Sequence, residues 1–290
     1  MARSYLFIPG NHPAMIQNAD VFGADALIFD LEDAVAAHEK DAARLLLAGF
    51  LAKARPQGVR VYVRINGLDT PLACKDLEAV VGDAVDGIVL PKAGMSELME
   101  LSTILHNLEA QKGLAKKIAI LPIVETAKSL VEVEEIAKLS RLDGILLGAE
   151  DLSADMEFER TKAGTEIEYP RARIAFACKA ARIEAIDTPF TDTNDPDGLR
   201  EDCLHSQSLG MNAKAAIHPN QIETIHAVFS PSPKRIEWAL RIRAAARKAG
   251  EQNLGVFSLD GKMVDKPIID RAEKILRAAE RFGLLPEERA

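Results

Sequence analysis

Ile118-Ala119-Ile120-Leu121-Pro122-Ile123-Val124 is a run of seven apolar residues that stops abruptly at Glu125. A strand with one wet face alternates apolar and polar residues, so an unbroken run of this length reads as a strand covered on both faces, as in parallel sheets. Seven further β-rich runs lie at residues 5–8, 26–29, 59–63, 87–90, 144–147, 185–188 and 214–217, and most of them share this character. The segments between them are long enough for helices. Residues 40–54 and 126–139 carry apolar side chains at three-and-four spacing, the mark of a helix that buries one face.

Strand and helix alternating eight times predict a TIM (β/α)8 barrel over residues 1–230. A doubly wound open sheet is the alternative, because a count of eight does not prove closure. The chain continues past the eighth unit into a C-terminal helical extension, residues 231–290. Helical patterns at 233–248 and 267–283 flank an excursion at 256–265, which is expected to pack on a neighbouring subunit.

Composition narrows the function. The chain has 290 residues, 48% hydrophobic and 28% charged, enough to bury a large core. Its 36 basic and 44 acidic residues leave a net charge of −8 with no Lys/Arg run, so nucleic acid is not an expected partner. No apolar stretch approaches the roughly 20 residues of a membrane span. The first apolar run breaks at Pro9-Gly10, too early for a secretory signal, so a cytoplasmic location is expected. Cys74, Cys178 and Cys203 are widely spaced and read as ordinary reduced thiols.

Chemistry in a parallel barrel sits where the strands end. Here those ends read Pro9-Gly10-Asn11, Asp30-Leu31-Glu32-Asp33, Arg64-Ile65-Asn66, Lys92, Glu125, Glu150-Asp151 and His218. Glu125 and Asp151 end adjacent strands, and two carboxylates in a partly dry cleft are costly unless a cation neutralises them. An all-oxygen set suits Mg²⁺, or Mn²⁺, rather than zinc. Alternatively each carboxylate caps a helix or pairs with a lysine. Arg64 can grip a substrate carboxylate with its planar fork, or form a salt bridge to the Asp30/Glu32/Asp33 cluster. That cluster reads more readily as a network holding Arg64 and Lys92 than as a second metal site. A lone His218 is either a structural hydrogen-bonder or a substrate contact.

These same residues resemble the citrate lyase β-subunit family, within the wider group of HpcH/HpaI aldolases and malyl-CoA lyases. The resemblance is carried by Arg3-Ser4-Tyr5-Leu6-Phe7-Ile8-Pro9-Gly10-Asn11, Asp30-Leu31-Glu32-Asp33-Ala34-Val35, Val63-Arg64-Ile65-Asn66-Gly67 and Leu90-Pro91-Lys92. Glu125-Thr126-Ala127, Leu147-Gly148-Ala149-Glu150-Asp151, Glu159-Arg160-Thr161, Ile217-His218-Pro219 and Gly261-Lys262-Met263-Val264-Asp265 extend it to about residue 283. It implies a Mg²⁺-dependent lyase cleaving citryl thioester to oxaloacetate and an acetyl thioester. Glu125 and Asp151 then match the metal ligands and Arg64 the substrate-binding arginine. Phe7, Pro9, Gly10, Lys92, Glu125 and His218 join Arg64 in the implied substrate-binding set. Asp265 matches an aspartate presented from an adjacent subunit as a proton shuttle, which implies a homo-oligomer, a trimer or hexamer. Read without the family, Asp265 is a helix N-cap.

One departure concerns the carrier. CoA-using relatives place lysines after the Pro-Gly-Asn turn, whereas this chain has His12-Pro13-Ala14-Met15-Ile16-Gln17-Asn18. That favours a thioester on an acyl carrier protein within a citrate lyase complex over free CoA. A citramalyl-CoA or malyl-CoA lyase is the alternative enzyme, and a non-catalytic barrel scaffold the alternative outside enzymes.

Overall fold

Eight parallel strands of the computed structural model, which describes residues 2–251 and 256–285, close into one barrel. They are β1 Ser4–Pro9, β2 Ala26–Asp30, β3 Arg60–Arg64, β4 Gly87–Leu90, β5 Ala119–Val124, β6 Gly144–Leu147, β7 Glu184–Asp187 and β8 Ala213–Ala216. Each pairs with the next, and β8 returns to β1 through Ser4 beside Lys214 and Leu6 beside Ala216. Closure removes the open-sheet alternative.

The helices, in chain order, are α1 Pro13–Gln17, α2 Lys40–Leu51, α3 Leu72–Val80, α4 Met95–Lys112, α5 Ala127–Val131, α6 Val133–Ile136, α7 Ala149–Asp155, α8 Glu168–Ala181, α9 Pro196–Leu209, α10 Ile222–Phe229, α11 Pro233–Glu251 and α12 Lys266–Arg281. The single helix expected over 126–139 is two short ones, α5 and α6, which meet at Glu132. α5 opens with a reciprocal cap between Thr126 and Ser129.

Side chains alternate across a strand, and in this barrel the inward set is Tyr5, Ile28, Tyr62, Val89, Leu121 with Ile123, Leu146, Ile186 and Ala215. Two residues beyond the uppermost of these lie Asp30, Arg64, Glu125, Gly148, Thr188 and Ile217, and Pro9 stands two beyond the inward-packed Phe7. The apolar filling therefore gives way to a polar layer at the carboxyl ends.

The opposite end carries a partly buried polar cluster. The Arg60 guanidinium lies 5.3 Å from the Tyr5 ring centre and 5.7 Å from that of Tyr62. Arg60 donates to Glu184 Oε2 at 2.7 Å, and Tyr5 OH donates to the same oxygen at 2.6 Å. Tyr62 OH donates to Asp143 Oδ2 at 2.5 Å.

The chain forms two compact units, the first ending at His226 and the second beginning at Ala227. In the second, α11 and α12 pack through Ile236, Ala239, Ile242, Ala272, Ile275, Leu276 and Ala279. The excursion before α12 is a hairpin of β9 Phe257–Leu259 and β10 Lys262–Val264. Asp260 and Gly261, with φ of 54° and 75°, form its two-residue turn, the left-handed pair that Asp-Gly favours. The extension expected over 231–290 includes residues 252–255 and 286–290, which lie outside the described residues. Among the described residues no helix is long and apolar enough to cross a membrane.

Tyr62→Phe removes a hydrogen bond from a half-buried carboxylate without changing shape. Urea unfolding is expected to show a loss of about 1–3 kcal/mol.

Candidate active site

The polar layer encloses a cavity of about 430 Å³ at the carboxyl ends of the strands, walled by Phe7, Pro9, Asp30, Arg64, Glu125 and Asp151. Glu125 follows β5 and is 4% exposed. Its Oε1 accepts the Lys92 backbone N–H at 2.5 Å. Lys92 presents that N–H from a turn after β4, with φ of 47°. Burial pushes the Glu125 carboxyl up to about 8, helped by the charges of Asp151 and Glu32 and opposed by the Lys92 N–H and Arg64.

Asp151 lies in the first turn of α7, whose N-cap is Gly148 and carries no side-chain cap bond. Asp151 is exposed and does not serve as the cap that the sequence left open. Gly148 is required by crowding: a Cβ there would stand 2.6 Å from Glu125 Cβ and 2.8 Å from Ile123 Cγ2. The two carboxylates wall one cavity, and the charge of Asp151 makes ionisation of Glu125 costlier. No group of three or more His, Cys, Asp or Glu side chains gathers as a metal site among the described residues. Two carboxylates fit a hard cation that keeps most positions for water and substrate, as Mg²⁺ does.

Of the two readings of Arg64, the salt bridge is the one the structure shows. Its Nε and Nη2 donate to Asp30 at 2.7 and 2.6 Å, the salt bridge that was the alternative, while the side chain also walls the cavity. Nη1 stands 2.8 Å from Glu32 Oε2 and 3.6 Å from Asp33 Oδ2. Phe7 lies beneath the guanidinium at 5.1 Å. Asp30 in turn accepts the backbone N–H groups of Glu32 and Ala34, so the turn after β2 is built around it. Burial and the neighbouring Asp33 and Asp30 push Glu32 up to about 7, against Arg64.

The remaining sequence-derived residues divide. Phe7 and Pro9 wall the cavity, whereas Gly10 lies just behind it, donating to Asp30 O at 2.8 Å. Lys92 contributes its backbone; its side chain is exposed, so the network expected to hold its ammonium is not formed. His218 is exposed and caps a helical turn, its Nδ1 accepting from Asn220 N at 3.2 Å, and Ile217 takes the wall position instead. Asp265, in the second unit, caps α12 by accepting from Ile268 N at 3.3 Å. Thr188 and Gly148 were missed, although counting two residues on from Ile186 and Leu146 finds both. A larger groove of about 1110 Å³ runs outside the barrel along α8, where Arg173 pairs with Glu134, and it holds no carboxylate pair of this kind.

The family model HpcH/HpaI aldolase/citrate lyase matches residues 3–219. The chain belongs to the HpcH/HpaI aldolase/citrate lyase family. A second model, the carbon–carbon bond lyase of the TIM-barrel fold, matches residues 167–284. Citrate lyase subunit beta of Leuconostoc mesenteroides is 38% identical over 99% of this chain and 96% of its own length. An L-malyl-CoA/beta-methylmalyl-CoA lyase of Rhodobacter capsulatus is 35% identical over 96% of this chain and 94% of its own. Protein CitE of Mycobacterium tuberculosis, solved with magnesium, acetoacetate and coenzyme A, superposes with a TM-score of 0.78 at 32% identity. The match covers 96% of this chain and 98% of that one. The resemblance read from the sequence is thus borne out, as is the barrel. This HpcH/HpaI chain is a carbon–carbon lyase by the company it keeps.

Two outcomes follow from the crowding around Glu125. Gly148→Ala is expected to push the carboxylate aside and cut metal-dependent turnover about 10²-fold, a loss that steady-state kinetics reads. The folded protein holds the Glu125 proton from the ordinary 4.5 up to about 8, where the unfolded chain has lost it. Stability of the metal-free protein therefore falls as pH rises through that window. Glu125→Gln is expected to flatten the fall and to melt higher than wild type at pH 9.

Proposed function

We propose that this protein is a Mg²⁺-dependent lyase that cleaves citryl thioester to oxaloacetate and an acetyl thioester. The observation that carries the reading is the buried Glu125 carboxyl beside Asp151 in a cavity that Arg64 also walls. Glu125 and Asp151 would hold the cation. Bound there, Mg²⁺ supplies a Lewis acid and a template for the substrate hydroxyl and its adjacent carboxylate.

The protein's own groups do the rest. Asp30 grips the Nε–Nη2 edge of the Arg64 guanidinium with both oxygens, which leaves Nη1 to take the substrate carboxylate in place of Glu32. The Phe7 ring beneath the guanidinium shields this contact on one side. In the retro-Claisen step the tertiary hydroxyl gives its proton to a water molecule in the open cavity, its oxygen forms the keto carbonyl of oxaloacetate, the carbon–carbon bond breaks, and the electron pair of that bond becomes a thioester enolate. Asp265, presented by a neighbouring subunit of a homo-oligomer, leaves its cap position and protonates the enolate carbon. The 256–265 hairpin is the segment that brings it there, in a trimer or a larger assembly such as a hexamer.

The carrier is an acyl carrier protein rather than free CoA. The exposed residues of α1 and its flanks, His12, Pro13, Ala14, Gln17 and Asn18, offer no ammonium or guanidinium to nucleotide phosphates. The malyl-CoA lyase relative supports a second reading, in which a malyl or citramalyl thioester is cleaved. Free Cys74, Cys178 and Cys203 suit a reducing cytoplasm.

A panel of citryl, citramalyl and malyl thioesters, on carrier protein and on CoA, tests these readings with and without Mg²⁺. Cleavage of citryl carrier thioester, abolished by chelation, is the expected result; no turnover on any member contradicts it. Asp265→Ala is expected to lower turnover by about 10²- to 10⁴-fold while substrate binding is kept, and unchanged turnover removes Asp265 from the reaction.

A further inference from the structure

Lys214 stands in the middle of β8 with no exposure to solvent, between Ala213 and Ala215, which fill the barrel. Its side chain points the other way, towards the helical layer, and uses all three ammonium protons. Nζ donates to Asp187 Oδ2 at 2.5 Å, to Asp202 Oδ2 at 2.6 Å and to the Thr188 carbonyl at 2.8 Å. Arg171, equally buried, donates to Asp187 at 2.8 and 3.0 Å and to Asp202 at 2.6 Å. Two cations meet two carboxylates.

Such a quartet is a poor way to gain stability, because desolvating four charges offsets most of their attraction and apolar packing serves as well. What it does well is hold a backbone at one place, and the atom it holds is Thr188 O. Thr188 is 1% exposed and walls the cavity at the end of β7. Its Oγ1 accepts the N–H of Ala149, the first residue of α7, at 3.3 Å. The N-cap of that helix is Gly148, which has no side chain to cap with, so Thr188 caps α7 from the neighbouring strand. Asp151 lies two residues further on, and Glu125 packs against Gly148.

We propose that Lys214, Asp187, Asp202 and Arg171 act through Thr188 as a positioning relay, fixing the first turn of α7 so that Asp151 faces Glu125 across a divalent cation. The proposal rests on the reading of Glu125 and Asp151 as the groups that take that cation. Lys214 and Thr188 are positioning residues for Asp151.

The test is Mn²⁺ binding to the substrate-free protein, followed by the paramagnetic signal of the free ion. Thr188→Val keeps the shape and loses the acceptor; it is expected to weaken Mn²⁺ binding about 10- to 100-fold, as loss of a partner behind a ligand does. Thr188→Ser is expected to restore most of that loss. Lys214→Met is expected to weaken binding likewise, and should it fail to fold, the Thr188 pair still decides. Asp151→Asn separates the two layers. Wild-type binding by Thr188→Val while Asp151→Asn loses the ion overturns the relay and leaves the cation site standing. Weak binding that Thr188→Ser does not restore also overturns it. Wild-type binding by Asp151→Asn overturns the cation site and the relay with it.

Discussion

Burial of an acid beside a second acid is the constraint around which the upper half of the barrel is organised. Glu125 is almost fully withdrawn from water, hydrogen-bonded through one oxygen and pressed against a glycine. A carboxyl so placed holds its proton to about 8, and the free energy spent keeping it there returns when a hard cation takes the proton's place. Proteins retain such arrangements where they are used.

Around that carboxyl the fold supplies support from several strands. The loop after β4 gives a backbone N–H, β3 gives Arg64 already gripped by Asp30 of β2, and β7 gives the hydroxyl that caps α7. Two of these supports are themselves held: Asp30 accepts the N–H groups of Glu32 and Ala34 in the turn it organises, and the Thr188 carbonyl accepts from the buried Lys214. The barrel therefore sets the relative places of these groups before any ligand arrives, the preorganisation that makes charge stabilisation effective. Arg64 illustrates the economy of the design, since one guanidinium pairs with Asp30 through Nε and Nη2 and with Glu32 through Nη1 while its side chain also walls the cavity.

Much of this was legible in the sequence because parallel strands buried on both faces leave unbroken apolar runs, and the polar residues that end them stand out. Glu125, Asp151 and Arg64 were found in that way. Lys214 was passed over because it opens the 214–217 run at the end away from the site, where a cation carries no signal until its two aspartates are seen. Lys92 and His218 were found as side chains, yet one serves through its backbone N–H and the other as an exposed cap. Residue type at a strand end does not say which of a residue's groups points inward. Thr188 and Gly148 carry no charge and so gave no signal by type, although the two-residue period places both on the inner face. The Asp260-Gly261 hairpin was present as a turn signal and was read only as an ordered excursion.

The most direct measurement is anomalous scattering from crystals of the protein grown with Mn²⁺. The expected result is one strong peak in the cavity within about 2.0–2.3 Å of a carboxylate oxygen from each of Glu125 and Asp151, bond lengths usual for small hard cations. A peak elsewhere, or a map with Glu125 and Asp151 turned into separate surroundings and no ion between them, would contradict the cation site and the lyase chemistry built on it.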